Sequence, residues 1–410
     1  VFKHISFLKV VVPCLFAANT LANSITIEQA VNFAVTNHPY IESSRAEREA
    51  TEGELAVAKR QFLPSITVGA QRGNSNTQQR NLNVQQPLYT FGRLTGQLDL
   101  AKSNLDAASA EVVSTEQRII NDTTTRFLEL YRAQQNAVVA EENISQHQRL
   151  LDIIERRVDA KTSPSVDARL AMARLQYAES EYLQFLNAAR ASQSALEQLI
   201  GEPFNTIVTP SFEVVLLEEI DTLREKVISF SPELVSLEAQ VRAQMARVDV
   251  SKAEMYPQIT ANYEKRYGDL LFGQTDEQIF LAVEYQPGAG FSSAANLSAA
   301  KARQRSLLSS KRATERELIV QLETLLSQFT MAQNQLQPSE ILANSTKDVV
   351  ESYLRQYVVG RKSWLDVLNA QREASQAMYT LVNNRVLLLQ SFYQLKILSG
   401  DIRAGRGLQI

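Results

Sequence analysis

Two stretches of this sequence, AVAKRQFLPSITV (56–68) and DVSKAEMYPQITA (249–261), share a pattern 193 positions apart. His38-Pro39 and Ser231-Pro232 repeat at the same offset. Later landmarks repeat at 199: Ala101-Lys102 with Ala300-Lys301, Asp167 with Asp366, Leu199-Ile200-Gly201 with Leu398-Ser399-Gly400. A chain built this way carries one structural unit twice, which limits its folds more than any other feature. The offset changes only between the prolines, where Pro64 to Pro87 is 23 residues and Pro257 to Pro287 is 30. A length change confined to one place puts an exposed loop there. The expected units are 23–215 and 216–410, each reading helix, strand, loop, strand, long helix, turn, helix.

The first helix is expected over Ile27 to Phe62, with Pro64 ending it. A longer run covers Leu94 to Val158. Leu98, Ala101, Leu105, Ala108, Val112, Thr115 and Ile119 follow each other by threes and fours, as in a coiled-coil seam. The phase then slips to Thr123, Phe127, Leu130, Ala137, Ile144 and Leu151, a stutter that locally unwinds a supercoil. Such a helix is roughly 100 Å long, more than a compact domain needs. Turns at 159–166 and 358–364 fold each long helix into a hairpin with a second helix, the first over 166–200. Pro338, inside the second long helix, predicts a kink. With 14 Gly and 11 Pro in 410 residues, the composition suits long helices.

Four segments alternate with period two: 65–72, 80–88, 258–267 and 278–286. Ile66 and Val68 oppose Thr67 and Gly69; Ile279, Leu281 and Val283 oppose Phe280, Ala282 and Glu284. A half-buried sheet and a tilted membrane strand both show this pattern. Four strands cannot close a barrel, and open edges cannot sit in lipid. A membrane reading therefore requires several chains to share one barrel: eight strands from two, twelve from three.

The start of the sequence reads as a secretory signal over 1–22. Lys3 and Lys9 precede an apolar run from Val10 to Ala18, and Thr20 and Ala22 fit a cleavage site. The single cysteine, Cys14, lies inside it. No later stretch is apolar for long enough to span a bilayer as a helix. Net charge is −3 and no basic tract stands out, so no nucleic-acid partner is expected. Beyond the signal, His38 and His147 stand far apart without ligand spacing and no cysteine nucleophile remains. The expectation is a protein that is not an enzyme and holds no metal or cofactor. Gly288 and Gly290 in YQPGAGF make a strand-to-helix corner rather than a dinucleotide loop.

The signal, the duplicated unit, QPLYTFGR (86–93) and YVVGRKSWLDVLNAQ (357–371) together resemble the TolC-like outer membrane factor family, over about 25–400. The resemblance implies a mainly α fold with membrane β: a homotrimer whose twelve-stranded β-barrel, four strands per chain, continues into a long periplasmic α-helical barrel. It implies a passive duct in the outer membrane lipid of a Gram-negative bacterium. A periplasmic adaptor and an inner-membrane transporter, such as an ABC exporter, would dock at the hairpin tips. QPLYTFGR and the compact length resemble members serving type I protein secretion, with drug or metal efflux as the alternative. A soluble periplasmic coiled-coil adaptor or structural protein is the reading from another class.

The same resemblance assigns a periplasmic gate. Asp366, flanked by Trp364, Leu365, Val367 and Leu368, matches a constriction-ring position. Three such carboxylates about an axis would favour cations. The residues themselves leave a second reading open, an acid favoured by the helix N-terminus. Asn369 falls on the second ring position, where TolC has Asp. Tyr357 and Lys362 match positions that hold the closed state by bonds to the neighbouring hairpin, with Asp167 as the tyrosine's partner. Lys362 stands for an Arg there and would bond less rigidly. Val166 replaces a polar residue beside Asp167. Gly360 and Arg361 form the second tip, Lys161 and Ser163 the first, and Trp364 is a packing or docking anchor.

Overall fold

The computed structural model describes residues 24–72, 78–211, 219–268 and 275–403. The expected signal, 1–22, lies outside them. Each half runs through the same elements. The first has β1 (Ser24–Ile25), α1 (Ile27–Asn37), α2 (Pro39–Arg60), β2 (Ser65–Arg72), β3 (Gln78–Tyr89), α3 (Arg93–Asp159) and α4 (Ser165–Ile200). The second has β4 (Thr206–Ile207), α5 (Ile220–Phe230), α6 (Pro232–Ala253), β5 (Gln258–Gly268), β6 (Glu277–Glu284), α7 (Ser292–Val358) and α8 (Trp364–Leu398).

The single helix expected over 27–62 is two helices, broken at His38. Pro39 restricts the residue before it to an extended conformation, and His38 takes φ −73°, ψ 126°. Pro39 then serves as the first residue of α2, where a missing N–H costs nothing. The His38 imidazole caps the new helix, its Nδ1 accepting from the Tyr40 amide at 3.2 Å. Ser231 does the same between α5 and α6, its hydroxyl accepting from the Leu234 amide at 3.3 Å. The second strand of each pair also differs slightly: β3 is longer than expected at both ends, and β6 stops at Glu284. α7 passes through Pro338 unbroken.

α3 and α7 are each 67 residues, roughly 100 Å of helix. Near the strands they pack beside α2 and α6; further on they pair with α4 and α8. The seam changes character along α3. Close to the strands its buried positions are small: Gly96, Ala101, Ser103, Ala110. A methyl on Gly96 would stand 2.9 Å from the Val250 side chain, so the α3–α6 approach requires glycine there. Past the stutter the buried residues are large: Ile120, Phe127, Leu128 and Leu130 meet Leu322, Leu389, Phe392 and Leu395. The short helices α1 and α5 cap this central core, and β1 pairs with β4 in parallel across the two halves.

The four long strands form one antiparallel sheet in the order β2-β3-β5-β6, so the two halves join through β3 and β5. Their registers put Ile66, Val84, Tyr263 and Ile279 in one row of one face. Thr67, Asn83, Glu264 and Gln278 make the adjacent row on the other. The apolar face is the bare one: Ile66, Val68 and Ile279 are 70, 76 and 80% exposed. The polar face is sheltered along the inner strand β5, where Thr260 and Asn262 are only 3 and 7% exposed. A water-soluble sheet places these faces the other way round.

Candidate functional site

The two hairpin tips have one backbone design. α3 ends in a turn with Lys161 left-handed at φ 55°, and α7 ends in the same turn with Gly360 at φ 76°. In the first, the amides of Lys161 and Thr162 donate to the carbonyls of Val158 and Arg157 at 2.9 and 2.8 Å. In the second, Gly360 and Arg361 donate to Tyr357 and Gln356 at 3.0 and 2.8 Å. Both are Schellman turns, which satisfy the last carbonyls of a helix.

A small core ties the tips together. Leu150, Leu151 and Ile154 of α3 and Leu175 of α4 enclose Tyr357, Trp364 and Leu368 of the second hairpin. Trp364 is buried and tilted against the Tyr357 ring at 5.3 Å, so it packs inside rather than presenting a docking anchor. The apolar side chains exposed at the tip are Val358, Val359, Leu365 and Val166.

Asp366 does not share the burial of Trp364, Val367 and Leu368. Val367 and Leu368 point into the tip core, and Asp366 stands at the third position of α8, turned out. It completes a capping box. The Ser363 hydroxyl accepts from the Asp366 amide at 3.2 Å, and the Asp366 carboxylate accepts from the Ser363 amide at 3.1 Å. The Ser363 hydroxyl and amide, with Lys362 nearby, hold this carboxyl below its usual range. The geometry thus gives Asp366 a local task in helix initiation. Asn369 and Glu373 are exposed one and two turns on, along the same side of α8. Glu373 was not singled out from the sequence, although the three-four spacing from Asp366 was available there.

The expected cross-hairpin bonds are differently partnered. The Tyr357 hydroxyl lies 3.3 Å from Ser163 Oγ, not on Asp167. Among the described residues the Asp167 side chain has no hydrogen bond or ion pair, and its N-cap is Pro164, which has no side-chain acceptor. Lys362 Nζ sits over the Tyr353 ring of its own hairpin at 4.2 Å, a cation–π contact in place of a bond to the other hairpin. One link between the hairpins is one that sequence reasoning missed. Arg157, in the last turn of α3, lies over the Tyr357 ring at 4.7 Å. Its Nη1 donates to the Tyr357 and Val358 carbonyls at 3.4 and 3.3 Å. A cation thereby meets the negative end of α7 from 200 residues away in sequence.

Further from the tips, Asn143 Oδ1 accepts from Gln371 Nε2 at 3.1 Å and from Ser375 Oγ at 2.7 Å, a buried polar layer between α3 and α8. His147 lies one turn from it. Burial, and next the charge of Arg174, push its imidazole down to about 4. Among the described residues no group of three metal-ligating side chains converges, and no helix is long and apolar enough to cross a membrane.

At the other end of the molecule, aromatic rings gather where strands become helices. Tyr89 meets Phe91 edge-on at 4.6 Å, and Phe91 stacks on Tyr256 at 5.2 Å. Tyr89 and Tyr285 stand half exposed beside the bare apolar face. Membrane barrels carry an apolar band bordered by aromatics on their outer surface.

The profile of the outer membrane efflux protein family matches residues 30–202 and 223–401. The pyoverdine export outer membrane protein OpmQ of Pseudomonas putida is 22% identical, over 92% of this chain and 86% of its own length. The alkaline protease secretion protein AprF of Pseudomonas aeruginosa is 19% identical, over 90% and 83%. The solved structure of CusC superposes with a TM-score of 0.82 at 16% identity, covering 91% of each chain. The chain belongs to the outer membrane efflux protein family, whose members are passive channels of the Gram-negative outer membrane that reach into the periplasm.

Proposed function

We propose that three copies of this chain share one twelve-stranded barrel and form the outer membrane duct of a tripartite machine for type I protein secretion. The observation that carries the shared barrel is the four-stranded sheet. Its apolar face is bare, and β2 and β6 each have an unpaired edge. In lipid those edges must be paired, and among the described residues of one chain no strand pairs them. Joining β6 of one copy to β2 of the next closes twelve strands. A periplasmic adaptor and an inner-membrane ABC exporter would then engage the exposed tip residues Val358, Val359, Arg361 and Leu365, with Lys161 on the first tip.

The tips act as the gate in this reading. Asp366, Asn369 and Glu373 line the same side of α8, and threefold repetition stacks them as rings. Tyr357 on Ser163 and Arg157 on the end of α7 hold the two hairpins in the resting arrangement. Lys362 and Asp167, which make no bond between the two hairpins of one chain, would serve the gate towards a neighbouring copy. Protein cargo is favoured by the QPLYTFGR stretch and by the likeness to a protease secretion protein. Small-molecule export is the second reading, favoured by the likeness to a siderophore export protein.

Extraction of outer membranes should give a heat-labile trimer. A monomer in the soluble periplasmic fraction would end the shared-barrel reading. Loss of the gene should remove a specific polypeptide from the culture supernatant. Unchanged secreted protein together with a new drug or metal sensitivity would select the second reading. In planar bilayers, Tyr357→Phe and Arg157→Ala should raise resting conductance severalfold, and unaltered conductance in both would remove the latch.

A further inference from the structure

Among the described residues, the polar face of the sheet carries three ionisable side chains: Glu264, Arg266 and, at the helix end, Glu284. Everything else there is amide, hydroxyl, aromatic or small. Glu284 is already engaged. Gln258 donates to it at 3.0 Å and in turn accepts from Arg93, at the start of α3, at 3.0 Å. Away from the helix end, charge within the strands of this face thus comes down to Glu264 and Arg266, towards the loop end of β5. They lie two apart on one strand and so point the same way.

Their contact is bidentate. Arg266 Nε and Nη2 donate to the two Glu264 oxygens at 2.8 and 2.7 Å. Gln278, the register partner of Glu264 on β6, donates to the same carboxylate at 2.8 Å. The two side chains are 21 and 26% exposed. A fork-to-fork pair of this kind is fixed in geometry.

We infer that Glu264 and Arg266 set the charge selectivity of the barrel lumen, each cancelling the other so that the duct is electrically neutral at that level. This rests on the closed-barrel reading above, in which the polar face lines the lumen. Three copies would then put three neutralised pairs around one level of the channel. Charge sorting falls to the carboxylates at the periplasmic tips, and the barrel itself passes segments of either sign. That suits a polypeptide whose charges alternate along its length. It also means that removing one partner exposes three like charges in the lumen at once.

Thiol chemistry reads the local potential without passing through the gate. Residues 24–403 contain no cysteine, so Asn83→Cys, opposite Glu264 in register, gives one reporter on the polar face. Outer membranes are treated from the external side with cationic trimethylammonium and anionic sulfonate methanethiosulfonates, and the ratio of rates is taken. Adding Arg266→Gln should raise the cation-to-anion ratio about three- to tenfold, and Glu264→Gln should lower it by a similar factor. The double variant should return to within about twofold of the parent. Should a single variant fail to assemble as a heat-stable or heat-labile oligomer, Gln278→Glu adds a carboxylate beside the intact pair and should raise the ratio. Ratios within about twofold of the parent in every assembled variant would overturn the proposal, as would an unreactive Asn83→Cys. Val68→Cys, on the apolar face, separates the two readings: it should be inert to both reagents in membranes. If it reacts as fast as Asn83→Cys, the barrel reading is what fails.

Discussion

The first and second hairpin tips share a backbone turn, and every side chain that gives them different roles sits within a few residues of it. At an offset of 199, Lys161 faces Gly360, Pro164 faces Ser363, Ser165 faces Trp364, and Asp167 faces Asp366. The two backbone bonds that close each turn have the same pattern in both. The helices that follow start differently. α8 has a full capping box between Ser363 and Asp366, whereas α4 begins after a proline and Asp167 has no cap to complete. One aspartate at one place in a repeat therefore does two things. In the second tip it is engaged by its own helix; in the first it is left unbonded among the described residues. The repeat preserves the turn, and the side chains make the second tip the organised one.

The largest test of that asymmetry is Trp364→Ser, which gives the second tip the residue of the first. Trp364 fills the core shared by α3, α4, α7 and α8, and its removal should cost about 3–5 kcal/mol. Hydrogen exchange should show α8 opening from its start and α3 loosening near Ile154. The reciprocal position, Ser165, is exposed, and Ser165→Ala should leave exchange unchanged. Equal responses would mean the tip core is not held from the second hairpin.

Acid should distinguish the hairpins next. His147 in α3 is buried with Nδ1 unpartnered, and its counterpart in α7, Thr346, bonds its own helix at Leu342. Burial lowers the His147 imidazole to about 4 from 6.5. The unfolded state therefore takes up a proton before the folded state does, and stability falls as pH drops from 6.5 to about 4, levelling off below. Protection in the first hairpin should fall by up to about tenfold per pH unit across that window. His147→Thr should remove the effect. Asp366 works in a different window. Its carboxyl is lowered in the folded state, so its contribution is present above the ordinary carboxylate pKa and is lost only as pH falls further. The second tip should hold through the range in which the first loosens.

Much of this was legible in the sequence, and the misses are instructive. The repeat, the strand alternation and the three-four seam are periodic signals summed over many residues, and they place the strands and long helices correctly. His38-Pro39 carried a start signal that was read through, because apolar spacing continues across the break while proline restricts the residue before it. Asp366 was half read: a helix-start acid was one of the two readings its residues left open, but its partner was not named. Ser363-Trp-Leu-Asp366 has the serine-to-acid spacing of a capping box, which explains the carboxylate without any partner chain. Arg157 was out of reach, because its partners lie 200 residues away and nothing local marks an arginine in a last helical turn as special. Local chemistry was written in the sequence; the bonds between hairpins depend on how the halves meet.

Exchanging the caps refines the comparison at a smaller scale. Ser363→Ala removes the acceptor for the Asp366 amide and should cost about 1 kcal/mol, seen as fraying at the start of α8. Pro164→Ser should let Asp167 form the same box in α4 and return a few tenths to about 1 kcal/mol. If Pro164→Ser has no effect, the fixed φ of the proline already supplies what the box would.

The smallest effect concerns the turn itself. Lys161 holds φ 55° with a full side chain, where Gly360 holds φ 76° without one. A left-handed conformation costs a non-glycine residue about 1–2 kcal/mol, partly offset because glycine loses more freedom on folding. Lys161→Gly should therefore stabilise the first tip by about 1 kcal/mol or less, and Gly360→Lys should weaken the second by a similar amount. Nothing lies within 4 Å of a methyl built on Gly360, so the loss would come from backbone strain and not from a clash. Local exchange rates at Thr162 and Arg361, whose amides close the two turns, measure it directly. Opposite signs at the two tips would show that the turns are equivalent and that only the residue differs. A first tip that gains nothing from glycine would mean that the lysine side chain is itself in use, which is the outcome expected if Lys161 meets a docking partner.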